Sequence, residues 1–280
     1  MISDFSDRLA RVDFYSSKTG YIDKRGRVKI FFENTKYSDS RNFSEGYAAV
    51  RDSDTGKWGY IDKSEKLVIP CVYREAMEFH GWLAAVRDED FVFGYIDKDN
   101  NVVIPFKYRN AHNFTNSVTC VDIRCKNIIG EDDIMCGLID KLGNEIVAVG
   151  TYNYIDDFIG DYANFKRFVK DGKDYYEYLG LMNEKGEEVL VYAKNRVKID
   201  DYRLRSTDDI VHWKLTGNLI SGNNRKTNKW GLSDINGEIV VPYDIYNTMT
   251  TFDNGLAIAR TDSKMYIIKI NGDIPLNING

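Results

Sequence analysis

Proline is scarce in this chain, at 4 of 280 residues, and cysteine equally so, at 4. Cys71, Cys120, Cys125 and Cys136 are too few to staple a chain of this length. A disulfide framework is therefore excluded, and reduced thiols in a cytoplasmic protein are the expectation. No apolar run approaches the roughly 20 residues that a membrane-spanning helix needs. The start, Met1-Ile2-Ser3-Asp4-Phe5, has neither the basic residues nor the apolar stretch of a secretory signal. An excerpt of a longer secreted chain would share that start. Concentrated positive charge is also missing. The 38 Lys and Arg are interspersed among 43 Asp and Glu for a net charge of −5, which disfavours a nucleic-acid partner. There are 3 histidines, no glycine-rich phosphate loop and no His-Glu metal motif. No cofactor, metal or catalytic residue is expected.

Aromatic residues fill the space. With 19 Tyr and 14 Phe and few long runs of helix formers, the composition favours strands. The residues recur in a pattern. Lys57-Trp58-Gly59-Tyr60-Ile61-Asp62-Lys63 runs on to Leu67-Val68-Ile69-Pro70. Its glycine returns as Gly20, Gly94, Gly137, Gly180 and Gly231, followed by Tyr-Ile-Asp-Lys or a weakened form of it. A last copy, Met265-Tyr266-Ile267-Ile268-Lys269, has lost the glycine. A phenylalanine and an alternating apolar run precede most copies, as in Phe43…Tyr47-Ala48-Ala49-Val50 and Phe79…Leu83-Ala84-Ala85-Val86. Units start near 5, 43, 79, 114, 158, 215 and 252, and together form one repeat domain over 1–280.

Each unit reads as three short strands followed by a link with Tyr and Ala, such as Tyr73-Arg74-Glu75-Ala76. Pro70, Pro105, Pro242 and Pro275 share one repeat position and mark where a strand ends or an edge begins; a designed strand terminator is the expectation. Asp23 with Gly26, Asp140 with Gly143, Asn183 with Gly186 and Asp234 with Gly237 are each three apart. That spacing predicts hairpin turns in which the carboxylate or amide caps its own backbone and the glycine takes a positive φ. Asn100 fits the same role after Asp97; Glu65 after Asp62 does not, and predicts strain or a different loop. In the middle strand Tyr60 faces one side, Gly59 and Ile61 the other. The glycine predicts close approach by another backbone or by a ring, that of Trp58 or of a neighbouring tyrosine.

These motifs resemble the WG-repeat family, also called KWG repeats, of bacterial proteins. The nearest matches are the stretch from Lys57 to Pro70, and Lys229-Trp230-Gly231-Leu232 with Val240-Val241-Pro242-Tyr243. Thr19, Phe93, Cys136 and Leu179 stand where the defining tryptophan would be. The resemblance implies a β-repeat fold and an interaction role, with no activity to carry over to any position. One unit of about 36 residues cannot bury a core alone, so neighbouring units must cover each other. The expected fold is all-β: about seven short antiparallel sheets in a propeller-like ring, or alternatively an open β-solenoid array.

Candidate chemistry is thin. His80, His112 and His212 read as ordinary loop histidines rather than catalytic ones. The repeated Asp residues read as turn caps rather than a metal rim. Cys120 and Cys136 read as buried thiols, since the spacing with Cys125 matches no standard zinc pattern. The informative departure is the expanded unit 158–214. It carries Tyr175, Tyr176, Tyr178, Arg196, Tyr202, Arg203, Arg205 and Trp213, and aromatics interleaved with arginine are what protein hot spots use. The sequence therefore favours a non-enzymatic scaffold that binds a protein partner through one face of the repeats and this unit. The alternative is a carbohydrate or cell-envelope binding module, since exposed aromatic rows stack on sugar rings.

Overall fold

The computed structural model describes residues 2–13, 19–32, 36–158, 160–200, 203–206, 210–216, 219–224, 226–234, 236, 238–250, 255–269 and 276–277. Among these residues there is no helix, and the strands form seven antiparallel sheets, each a meander in chain order. The second sheet is representative: Tyr37–Ser40, Tyr47–Asp52, Trp58–Asp62 and Leu67–Tyr73. The chain forms two compact units, one of Met1–Arg124 with Ile134–Gly150, the other of Cys125–Asp133 with Thr151–Gly280.

Three strands per unit was an undercount. Most sheets have four strands and the fifth has five. The missed strand lies inside the link. Tyr73 closes the second sheet, whereas Glu75–Ala76 opens the third by pairing with Arg87 and Val86. Two residues are too few to show a period of two, so the sequence pattern could not reveal them. In the first sheet the same place is held by a bridge between Ile2 and Val12.

The glycine and the proline of each repeat are two halves of one device. Pro70 and Pro105 do not end their strands; they lie within Leu67–Tyr73 and Val102–Tyr108, each at the edge of its sheet. An edge strand tolerates the missing donor. The register slips there: Trp58 faces Tyr73, yet Tyr60 faces Ile69. The slack bulges over the glycine. A Cβ on Gly59 would stand 2.5 Å from the Ile69 carbonyl oxygen and 2.7 Å from the Cys71 nitrogen. Gly94, Gly137, Gly180 and Gly231 meet the corresponding carbonyls of Ile104, Val147, Leu190 and Val241. The close neighbour is thus the adjacent backbone, not the ring of Trp58. Pro275 and Gly237 lie outside the described residues, as does Phe252.

Within the first compact unit, neighbouring sheets share their cores. Ala48, Val50 and Ile61 of the second sheet pack with Leu9, Tyr21 and Ile30 of the first. The alternate residues Ala49, Trp58, Tyr60 and Ile69 pack with Ala76, Phe79, Ala84 and Val86 of the third. Both faces are buried, as the split of Tyr60 from Ile61 required. The tyrosine of each early copy also reaches into the next sheet. Tyr21 donates to the Arg41 carbonyl at 2.6 Å, Tyr60 to Met77 at 2.7 Å and Tyr95 to His112 at 2.8 Å. Their rings meet Phe43, Phe79 and Phe114 at 4.7, 4.9 and 5.0 Å.

The turn expectation holds, with strain at its one exception. Glu65 makes the same turn as its glycine counterparts, at φ +66°. Chemical denaturation tests these points together. Trp58→Ala lowers stability by about 3–5 kcal/mol through loss of a buried ring. Gly59→Ala lowers it by about 1–3 kcal/mol because backbone must move. Glu65→Gly raises it by ~0.5–1 kcal/mol, the left-handed strain relieved less the added chain entropy. An unchanged midpoint for Gly59→Ala would remove the bulge argument.

Candidate functional site

The fifth sheet is where the fold departs most from its repeat. Its strands Tyr162–Asp171, Asp174–Asn183 and Glu188–Asp200 are 10, 10 and 13 residues long, and Arg203–Ser206 adds a fifth at the edge. The extra residues of the expanded unit thus lengthen a hairpin rather than form a separate loop. Residues 210–214 leave this sheet and begin the next, in the strand Ile210–Thr216.

Register divides the sequence candidates between two faces. Tyr176 lies opposite Arg196 and Val169, and Tyr178 opposite Lys194 and Arg167. These alternate residues share one face. The Lys194 ammonium sits 4.2 Å from the Tyr176 ring centre and 5.4 Å from that of Tyr178, which Arg167 covers at 4.7 Å. Arg167 is anchored by a two-pronged pair with Glu188 at 2.6 and 3.0 Å. Tyr152 donates to the same carboxylate at 2.6 Å. Burial pushes the Glu188 carboxyl up, but the hydrogen bonds from Arg167 and Tyr152 outweigh it and hold the acid below its ordinary value.

Tyr175 belongs to the other face, with Val197 and Lys170 as its cross-strand neighbours. At the hairpin end it joins Lys173, Asp174, Arg196, Val197, Lys198 and Ile199 in lining a groove of about 480 Å³. Arg196 is held there by Asp174 at 2.6 Å. The next strand places Arg203 opposite Asp200 and Arg205 opposite Lys198. Trp213 falls at a bulge, between the pairs His212 with Gly222 and Lys214 with Ser221. Tyr202 lies outside the described residues. The structure therefore brings Tyr175, Tyr176, Tyr178 and Arg196 to one hairpin, where Lys173 and Lys198 of the same expanded unit join them, and adds Lys194, which the sequence reading did not name. Alternation of Lys194, Arg196 and Lys198 along a strand was the signal for it.

A second surface escaped sequence reasoning. The hairpin turns Ser6–Leu9, Ser44–Tyr47 and His80–Leu83 have two central residues at positive φ. Trp82 takes the place held by Gly46 in the preceding sheet, at φ +73° and 69 % exposed. Lys98 covers its ring at 4.4 Å and hydrogen-bonds the Glu45 carbonyl at 2.7 Å. Glu45 in turn accepts from the backbone of Gly81 and Trp82 at 2.6 and 3.0 Å. One sheet earlier, Lys63 bonds the Asp7 carbonyl at 2.9 Å, and Asp7 accepts from Gly46 at 2.5 Å. Phe91 is a similar outlier, 53 % exposed at φ +63° beneath Arg74 at 4.3 Å.

The repeated carboxylates are turn caps. Asp23, Asp62, Asp97, Asp140, Asn183 and Asp234 each accept the backbone N–H groups two and four residues on. The Arg27 guanidinium, at 2.7 Å, leads the groups that hold Asp23 at about 2. Asp62 and Asp97 are lowered chiefly by hydrogen bonds from Ser64 and Asn101. None of the four cysteines is in a disulfide, and Cys120 and Cys136 are buried.

The sequence profile of the WG containing repeat matches residues 20–54, 58–90, 93–123, 137–173 and 230–264. The chain belongs to this family. The matches leave out 174–229, which holds most of the departures from the WG repeat described above. Solved structures resemble the fold at low identity. A eukaryotic initiation factor aligns over 98 % of this chain and 74 % of its own, with TM-score 0.60 and 10 % identity. BamB from Moraxella catarrhalis aligns over 98 % and 80 % (TM-score 0.46, 11 % identity), and Hsv2p from Kluyveromyces lactis over 96 % and 92 % (0.43, 11 %). The likeness to the initiation factor is one of all-β fold alone. No curated protein matches the chain. No helix among the described residues is long and apolar enough to cross a membrane.

The depressed turn carboxylates fix a pH response. A carboxylate lowered in the folded state contributes stability that is present above its unfolded value and lost as pH falls through the folded one. Melting temperature should therefore hold above about pH 5 and fall from about pH 4 towards 2. Asp23→Asn should flatten that fall. A WG chain whose melting temperature is constant down to about pH 2 would contradict the capping account.

Proposed function

We propose that this WG-repeat chain is a non-enzymatic scaffold that binds an acidic protein segment through the hairpin end of its fifth sheet. The observation that carries the reading is the cross-strand pairing of half-buried Tyr175, Tyr176 and Tyr178 with Lys170, Arg196 and Lys194 on the longest strands among the described residues, with Lys173 and Lys198 in the groove beside Tyr175. The rings offer apolar area at low entropic cost, and the cations above them hold the rings in place. A cation over an exposed ring contributes about 0.5–1 kcal/mol, and more once a partner excludes water. Aromatic and arginine anchors of this kind concentrate binding energy in few residues. The free thiols fit a reducing compartment, so the cytoplasm is the proposed location.

A second reading rests on Trp82. An exposed indole in a strained turn is a platform for a sugar ring, which supports a carbohydrate or cell-envelope role.

Capture from host lysate separates the two. The intact chain should retain a defined protein that elutes as salt rises from about 0.1 to about 1 M. The combined variant Tyr175→Ala, Tyr176→Ala and Arg196→Ala should lose it while melting normally, and Trp82→Gly should keep it. Loss with Trp82→Gly alone would move the surface to the turn row. Glycan-array binding that depends on Trp82 would replace the protein reading.

A further inference from the structure

We propose that His112, Cys120 and Asp122 of the fourth sheet form a binding site for a divalent ion of the zinc class. One donor atom from each, a ring nitrogen, the thiol sulfur and a carboxylate oxygen, lies within 4.8 Å of the other two. The fold puts them there by register. Asn110 pairs with Asp122 and Ala111 with Val121, and the His112 nitrogen donates to the Cys120 carbonyl at 3.2 Å. Cys120 and Asp122 are two apart on one strand and so share a face, with His112 across the ladder from Cys120. The Cys120 sulfur is 3.9 Å from Asp122 Oδ1. Tetrahedral zinc, with bonds near 2.0–2.3 Å, needs its donors roughly 3.3–3.8 Å apart. Small side-chain rotations close the remaining distance.

The supporting shell is in place. Asn110 Nδ2 donates to Asp122 Oδ2 at 2.9 Å, leaving Oδ1 turned towards the sulfur. The His112 carbonyl accepts from Tyr95 at 2.8 Å and from Thr119 at 2.9 Å, which pins the backbone that carries the imidazole. Such outer contacts fix ligand orientation before the ion arrives.

The other sheets serve as internal controls. Arg41, Ala49 and Arg51 occupy the same three places in the second sheet, and Met77, Ala85 and Arg87 in the third. The fifth has Asp156, Asn164 and Lys166. Each of these sets contains a cation, which repels a metal. In the fourth sheet all three places change together to metal donors, and the fold needs none of the changes, since alanine and arginine fill the same places elsewhere. A mixed nitrogen, thiolate and carboxylate set matches zinc better than the all-oxygen shell of calcium or the soft shell of copper(I). Three protein donors leave a fourth position for water or an incoming ligand.

Cobalt(II) is the probe, because thiolate coordination gives it a charge-transfer band. The chelator-stripped chain should take up one cobalt per molecule with that band, and zinc should displace it. Cys120→Ala, which installs the residue of the second and third sheets, should abolish the band without changing the melting curve. His112→Gln and Asp122→Asn should each weaken zinc affinity at least tenfold, Asn110→Ala by about tenfold, and Cys125→Ser should change nothing. Affinity should fall with pH, as thiol and imidazole regain protons. Absence of the band, its survival in Cys120→Ala, or full affinity in both His112→Gln and Asp122→Asn would overturn the site.

Discussion

A buried phenol holds each early sheet to the next. Tyr21, Tyr60 and Tyr95 sit fully inside the molecule, and each hydroxyl ends on a backbone carbonyl of the following sheet. Burial pushes the phenols well above their ordinary range, which favours the neutral form that donates. A hydrogen bond of this kind contributes only about 1 kcal/mol net, but an orphaned buried hydroxyl costs about 1–3. The asymmetry makes the tyrosine a specifying residue. A neighbouring sheet placed wrongly would strand the hydroxyl, so the phenol selects one docking of sheet on sheet. The ring adds a second condition, because the phenylalanine that opens the next unit must meet it at a steep angle, edge to face for Tyr21 and Tyr95 and tilted for Tyr60. Repeat proteins depend on such nearest-neighbour terms, since no unit holds a core of its own.

The family signature follows from the same economy of space. The glycine just before that tyrosine admits the bulge of the outer strand, and the proline within the bulge sits where no ladder partner is asked of it. Glycine and proline are some ten residues apart in sequence yet answer each other across one ladder, as Gly59 and Pro70 show. The tryptophan is more replaceable. Phe93 and Cys136 fill its place and remain buried, because that position asks only for apolar volume.

Short-range chemistry was therefore legible in the sequence and cross-strand chemistry was not. Turns such as Asp140 to Gly143 could be read because cap and positive-φ residue are close together. The two-residue strand Glu75–Ala76 could not, since it exists only through its partner. The same limit hid Lys63 and Lys98, whose ammonium groups end on carbonyls more than fifty residues away. It also hid the grouping of His112 with Cys120 and Asp122, which depends on how two strands align. At the fifth sheet the gathering of aromatics and arginines was visible as composition, but only register shows that Tyr176 and Tyr178 share a face that Tyr175 does not.

A regular repeat gives each position its own reference, and against that reference the costly departures stand apart from the neutral ones. Trp82 and Phe91 hold left-handed backbone that a bulky residue adopts at a penalty of about 1–3 kcal/mol, and both are largely exposed, with a cation over each ring in place of core packing. Gly46 shows that the turn of Trp82 is made without strain elsewhere in the same chain. The His112 set gives up arginine contacts for donors that repel no cation. The long hairpin of the fifth sheet extends its tyrosines beyond the shared cores and keeps them half-covered by lysine. None of these is what a sheet needs in order to stack. Folding explains what the units have in common, and these departures are what it leaves over.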